Sequence, residues 1–115
     1  MTRILKPEAA ARMAELDRLI HEPARLRILT LLSGLEAADF NFLLTTAGLT
    51  KGNLSSHIDR LEKAGYVAVV KSFNGRMPHT EYSVTPEGLA ALGEYWRELD
   101  AIRSLREKPD SEAAQ

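Results

Sequence analysis

The 115 residues suffice for one compact domain but not for two. A content of 44% hydrophobic and 27% charged residues suits a globular protein with a real core, and the formal net charge of −1 shows no overall basic surplus. The absence of cysteine excludes a disulfide scaffold, thiol catalysis and thiolate metal sites; the short apolar runs and an N-terminal stretch without a signal peptide's apolar core lead us to expect a cytoplasmic protein with no membrane partner.

A first helix is expected over about Pro7–Ile20, where proline suits the first turn and Met13, Leu16, Leu19 and Ile20 recur at helical spacing. Pro23 disfavours helix at Glu22 and marks a boundary. A second helix, about Pro23–Ser33, is apolar nearly all round through Leu26, Ile28, Leu29, Leu31 and Leu32, so it belongs at the centre of the core. Asp39 is placed to cap a third helix that buries Phe40, Leu43, Leu44 and Ala47 and stops at Gly48. Thr50 caps a fourth, with Leu54, Ile58 and Leu61 as its apolar stripe. Gly48 and Leu49 alone separate the third helix from the Thr50 cap, which is the tight turn of a helix-turn-helix.

Gly65 closes the fourth helix. Val67, Val69, Val70 and Phe73 then form one strand, and Thr80, Tyr82 and Val84 alternate on the next. Their connection, Asn74 to Pro78, holds an Asn-Gly hairpin signal in a loop expected to exceed the minimal two residues. Thr85-Pro86-Glu87 reads as a helix start. The last helix should run to about Arg106 through Leu89, Leu92, Trp96, Leu99 and Ile102, leaving 107–115 as a flexible tail. With a short extra strand near Ala37, the fold class is mainly α with a small β-hairpin (α+β). That order is a winged helix-turn-helix in a single domain, 1–106, with the helix-turn-helix at about 39–64 and the wing at about 67–84.

Such a fold presents a helix to a DNA major groove and a hairpin to the backbone beside it. Between Lys51 and Thr80 lie five cations (Lys51, Arg60, Lys63, Lys71, Arg76) against Asp59 and Glu62, a local +3 in a chain of net −1. With Leu54, Ile58 and Leu61 inward, Gly52, Ser56, Asp59 and Lys63 point most nearly outward, and Asn53 and Arg60 lie on one shoulder. The first turns of a recognition helix approach base edges. Lys51, Gly52, Asn53 and Ser56 are therefore assigned to the groove and Arg60 to phosphate. Asparagine pairs bidentately with adenine. Thr50 is a cap whose hydroxyl is also placed for a phosphate. Arg76, at the hairpin tip, suits the minor groove or a phosphate, with Lys71 and His79 flanking as weaker candidates.

The segments LIHEPARLRILTLL, LTKGNLSSHIDRLEKAGYV and the wing ending YSVTPEG resemble winged-helix transcriptional regulators of the MarR type and their ArsR-like relatives, over about Leu16 to Leu99. The resemblance implies a homodimer on a pseudo-palindromic operator, with recognition helices in successive major grooves, and supports Gly52, Asn53, Ser56 and Arg76 at contacting positions. It implies a regulator, read here as a repressor. A small-molecule effector, where one exists, would sit between the dimerisation helices and the DNA-binding lobe. The chain departs from many such proteins in carrying small residues where the recognition helix often has arginine.

The last helix continues its apolar stripe beyond what a small core covers, so Met13, Leu16, Leu92, Trp96, Leu99 and Ile102 are assigned to a dimer interface with Trp96 as anchor. No cofactor or metal is expected, because cysteine is absent and His21, His57 and His79 lie on separate elements. Ser55-Ser56-His57 is a run along one helix, where adjacent side chains diverge, so no enzyme is expected. The rival reading is a winged-helix module for protein–protein contact without specific DNA binding, which the net charge and the arginine-poor fourth helix favour.

Overall fold

The computed structural model describes the backbone of residues 16–113 and side chains as far as Leu105. Its elements are α1 (Pro23–Ser33), β1 (Ala38–Asp39), α2 (Phe40–Ala47), α3 (Lys51–Lys63), β2 (Val67–Asn74), β3 (Met77–Val84) and α4 (Pro86–Ala113). The short strand expected near Ala37 is β1. It pairs antiparallel with β3, giving a three-stranded sheet in the order β1-β3-β2.

Local chemistry sets the helix ends where the sequence places them. The Glu22 carboxylate accepts the Arg25 N–H at 2.8 Å ahead of Pro23, Asp39 accepts the Phe42 N–H at 2.8 Å, and Thr50 accepts the Asn53 N–H at 3.2 Å. Gly48 ends α2 at φ 68°, a left-handed turn that only glycine takes without cost. From α1, Arg27 Nη1 reaches the last carbonyl of α2, Ala47 O, at 2.5 Å, adding a donor where the helix leaves its carbonyls unsatisfied.

α1 packs against α2, α3, α4 and β3, as its apolar circumference predicts. The core joins Ile20, Ile28, Leu29, Leu32, Leu43, Leu54, Ile58, Leu61 and Val67 with Leu92 and Tyr95 of α4. Leu49, between α2 and α3, packs against this cluster from the turn.

Three expectations change. Most of the first helix, and Met13 with it, lies outside the described residues. Its expected end, Leu16–Ile20, is bend and turn, because Asp17 Oδ1 accepts the N–H groups of Leu19 (2.9 Å) and Ile20 (3.2 Å) and competes with a helical ladder. The hairpin loop is the minimal two residues, Gly75-Arg76, since Asn74 pairs with Met77. Gly75 takes φ 69° and no other residue of the loop has positive φ, the pattern of a type II′ turn. Pro78 is tolerated because Phe73–Pro78 follows the closing pair, so it is a non-hydrogen-bonded pair and needs no N–H toward β2. Finally, the backbone of α4 stays helical to Ala113, beyond the expected end at Arg106.

One tie joins the segment before α1 to the base of the wing. Tyr66 donates its hydroxyl to Asp17 Oδ2 at 2.6 Å, and this hydrogen bond, then burial and the Asp17 charge, push the phenol up to about 12. The raised value means the neutral phenol is the form the fold prefers. Its contribution is complete below the ordinary value of 10.0 and is lost as pH rises through about 12. Denaturant melts of the protein and of Tyr66→Phe should therefore converge across that window, and curves that stay parallel from pH 9 to about 12 would contradict the assignment.

Candidate nucleic-acid interface

α3 buries Leu54, Ile58 and Leu61 and leaves its first turns in solvent. Thr50, Lys51, Gly52, Asn53, Ser56 and Arg60 are all exposed. The Thr50 oxygen is engaged by the Asn53 N–H, while the side chains of Lys51, Asn53, Ser56 and Arg60 form no hydrogen bond or ion pair among the described residues. The last turn differs. Lys63 and Asp59 pair at 2.8 Å in an i,i+4 bridge, which holds the ammonium above its ordinary range. Lys51, Asn53 and Ser56 thus place free polar groups on the N-terminal half of the outward face, where the unpaired N–H groups of the helix also lie, and exposed Arg60 follows one turn further on.

β2 packs against α3, and the hairpin projects from there to its tip. Arg76 occupies the second turn position, exposed and without a partner among the described residues, and Lys71 is exposed on β2. His79 lies 3.8 Å from Glu81, so its ring is turned toward a carboxylate on its own strand. Gly52 has no neighbour within 4 Å of a Cβ, so the vacancy beside it opens to solvent.

His57 belongs to a different constellation. It is half-buried on the flank of α3, and its Nδ1 accepts from Arg25 Nη1 at 3.2 Å. Arg25 is only 8% exposed and donates through Nε to the Leu19 carbonyl at 2.6 Å. Composition-led reading passes over Arg25 because it is charged. The signal was its position, since Arg25, Ile28, Leu29 and Leu32 form an i, i+3, i+4, i+7 series on the buried face of α1.

The residues assigned to a partner subunit divide. Leu92 retains 6% of its surface and is covered within one chain, while Leu16 is half-buried against the same core. Trp96 is 46% exposed and lines an outer groove with Leu99, Asp100 and Arg103, while Ile102 is half-buried. The opposite flank of α4 forms a cleft of about 200 Å³ with Leu16, Asp17, Ala91, Glu94, Tyr95 and Glu98. Among the described residues no helix is long and apolar enough to cross a membrane, and no group of three His, Asp or Glu converges for a metal ion.

Residues 24–103, from α1 well into α4, match the family described as the winged helix DNA-binding domain. An uncharacterised protein of Methanocaldococcus jannaschii is 35% identical over 82 residues, covering 71% of this chain and 89% of that protein. Among solved structures, a transcriptional regulator homologue from Pyrococcus horikoshii superposes with a TM-score of 0.76 at 29% identity, over 84% of this chain and 95% of that one. A MarR-family transcriptional regulator from Silicibacter pomeroyi shares the fold at a TM-score of 0.60 and 22% identity, over 86% of this chain and 66% of its own. The chain belongs to the winged helix DNA-binding domain family, and its fold is that of the MarR-type regulators.

Proposed function

We propose that the protein is a cytoplasmic transcriptional regulator that binds a pseudo-palindromic operator as a homodimer and represses by occluding the promoter. The observation that carries this reading is the row of exposed polar side chains on the first turns of α3 (Lys51, Asn53, Ser56), with Arg76 at the wing tip, none of them partnered among the described residues. In this reading Lys51, Gly52, Asn53 and Ser56 enter the major groove, Thr50, Arg60 and Lys71 hold phosphate, and Arg76 works beside the groove. The protein acts by binding, with no catalytic step. An effector would act from the cleft between α4 and Leu16–Asp17, by changing the spacing of the two recognition helices.

Titration with genomic fragments should show affinity falling steeply between roughly 50 and 200 mM salt, because phosphate contacts release counterions. Asn53→Ala and Arg76→Ala should each cost about 1–3 kcal/mol of binding without shifting the thermal midpoint. No salt-dependent shift at low ionic strength would favour the protein–protein module instead. Wild-type affinity in both variants would overturn the docking.

The dimer has its own check. Trp96, with Leu99 beside it, offers the large aromatic surface an interface anchor needs. Trp96→Ala should weaken self-association by about 30-fold in sedimentation equilibrium, the ~2 kcal/mol of an anchor residue. A wild-type protein that sediments as a monomer at operator-binding concentrations would end the dimer proposal.

A further inference from the structure

The tip of the wing carries two large apolar side chains that the core does not explain. Phe73 is 74% exposed and Met77 70% exposed, and they bracket the Gly75-Arg76 turn. Strand alternation assigns them to opposite faces. Val67, Val69, Lys71 and Phe73 share one face with their partners Val84, Tyr82, Thr80 and Pro78, while Met77 lies on the other opposite Asn74. The base of the first face is used by the core, through buried Val67 and the packed Tyr82 and Val84. At the tip, the same face runs out past the core.

The hairpin cannot hide these groups by bending back, because its register is unbroken over eight pairs up to a two-residue turn. The Phe73–Pro78 pair gives the ring a cross-strand neighbour but leaves most of it in water. Beside it on that face is Lys71, at the apex is Arg76, and neither has a partner among the described residues. The carboxylate nearest along the strands, Glu81, belongs to the other face with Val70. An apolar tip carrying two free cations suits a surface with an anionic rim and an apolar floor.

We propose that the wing enters the DNA minor groove as an apolar wedge, with Phe73 and Met77 pressing between sugars and base edges on either side of Arg76. The inference rests on the DNA-binding reading above and adds a salt-independent component and a bend to it. Apolar wedges inserted from the minor groove partly unstack a base step and kink the duplex by about 20–90° toward the major groove. The wedge supplies grip that the small side chains of α3 do not.

The test uses the full chain and an end-labelled duplex selected by it from random DNA, read by affinity across a salt series and by energy transfer for bending. Phe73→Ala and Met77→Ala should each bind about tenfold more weakly at every salt concentration, with the salt slope unchanged and the bend reduced. Phe73→Leu should retain most of the affinity. Arg76→Ala should instead lower the slope by about one. Wild-type affinity in both alanine variants, a slope change like that of Arg76→Ala, or an undiminished bend would overturn the wedge. So would a lowered thermal midpoint in Phe73→Ala, which would make the ring part of the core. If the wild-type protein shows no salt-dependent binding to any duplex, the DNA reading itself fails and the wedge with it.

Discussion

Gly88→Ala should destabilise the fold by about 1–3 kcal/mol, the usual cost of forcing an extra methyl into a packed site. A Cβ at Gly88 would lie 2.3 Å from the Tyr66 carbonyl oxygen and 2.9 Å from Val84 Cγ2. The first neighbour is backbone, so no side-chain rotation relieves it. The Tyr66 carbonyl also accepts the Thr85 N–H at 3.0 Å, and the Thr85 hydroxyl donates to the Gly65 carbonyl at 2.6 Å. Thr85 then accepts the Gly88 N–H at 2.9 Å, so the helix start, the wing base and the end of α3 close on one another within these few atoms. Moving α4 outward to admit a methyl would stretch the two bonds from Thr85 to the Tyr66 and Gly65 carbonyls together. In thermal unfolding the loss should appear as a fall of roughly 4–8 °C per kcal/mol. Gly52→Ala is the control, because its Cβ meets nothing within 4 Å. It should gain up to about 1 kcal/mol from helix propensity. Equal midpoints for Gly88→Ala and wild type would show that the close approach is not maintained in solution.

Arg25→Ala should cost about 2–4 kcal/mol, combining a half-buried carbonyl left without its donor and the lost packing of the buried side-chain stem. The carbonyl is Leu19 O, bonded to Nε at 2.6 Å, and the second bond runs from Nη1 to His57 Nδ1 at 3.2 Å. Arg25→Lys should recover only part of the loss, because one ammonium cannot reproduce the fork that serves two acceptors in fixed directions. A double-mutant cycle of Arg25→Ala with His57→Ala isolates the link between α1 and α3. A coupling of about 0.5–3 kcal/mol is expected for groups in one network, and a coupling near zero would remove the link from the account. Since His57 sits one turn beyond Asn53 on α3, the DNA-binding reading proposed above predicts that the same variants weaken binding to a selected DNA site more than nonspecific DNA binding.

Both sites lie in segments whose motif was legible and whose reason was not. The string Thr85-Pro86-Glu87-Gly88 announces a helix start through a cap, a first-turn proline and an acid. Nothing in it tells that the glycine is there for the Tyr66 carbonyl, which is more than twenty residues away in sequence and touches it only after β2 and β3 have folded back. Arg25 likewise reads as a surface cation in a charged chain. Its burial depends on two acceptors, Leu19 O and His57, brought to it by a turn and by another helix. The hairpin shows the converse limit. The Asn-Gly signal is visible in a connection read as Asn74 to Pro78, longer than two residues, and only the register shows that the strands pair up to Asn74–Met77 and that Pro78 falls on a pair that needs no hydrogen bond.

Most of the punctuation is readable in the chain: Asp39, Thr50 and Thr85 as caps, Gly48 and Gly65 as stops, and the stripes of α1 and α3 that make a winged helix of it. These are local matters, decided within a turn or two by backbone hydrogen bonds and side-chain periodicity. Which apolar groups the core uses and which it leaves over follows from the packing of the whole chain. Leu92 goes inward while Trp96, one turn along the same stripe, stays half in water, and Phe73 passes beyond the last core contact of its own face. The physical reason is that burial is a property of the whole packed chain. A stripe specifies a face, but only the neighbours that reach that face determine where covering ends, and the surface left uncovered is where the inferred contacts with DNA and with a second subunit begin.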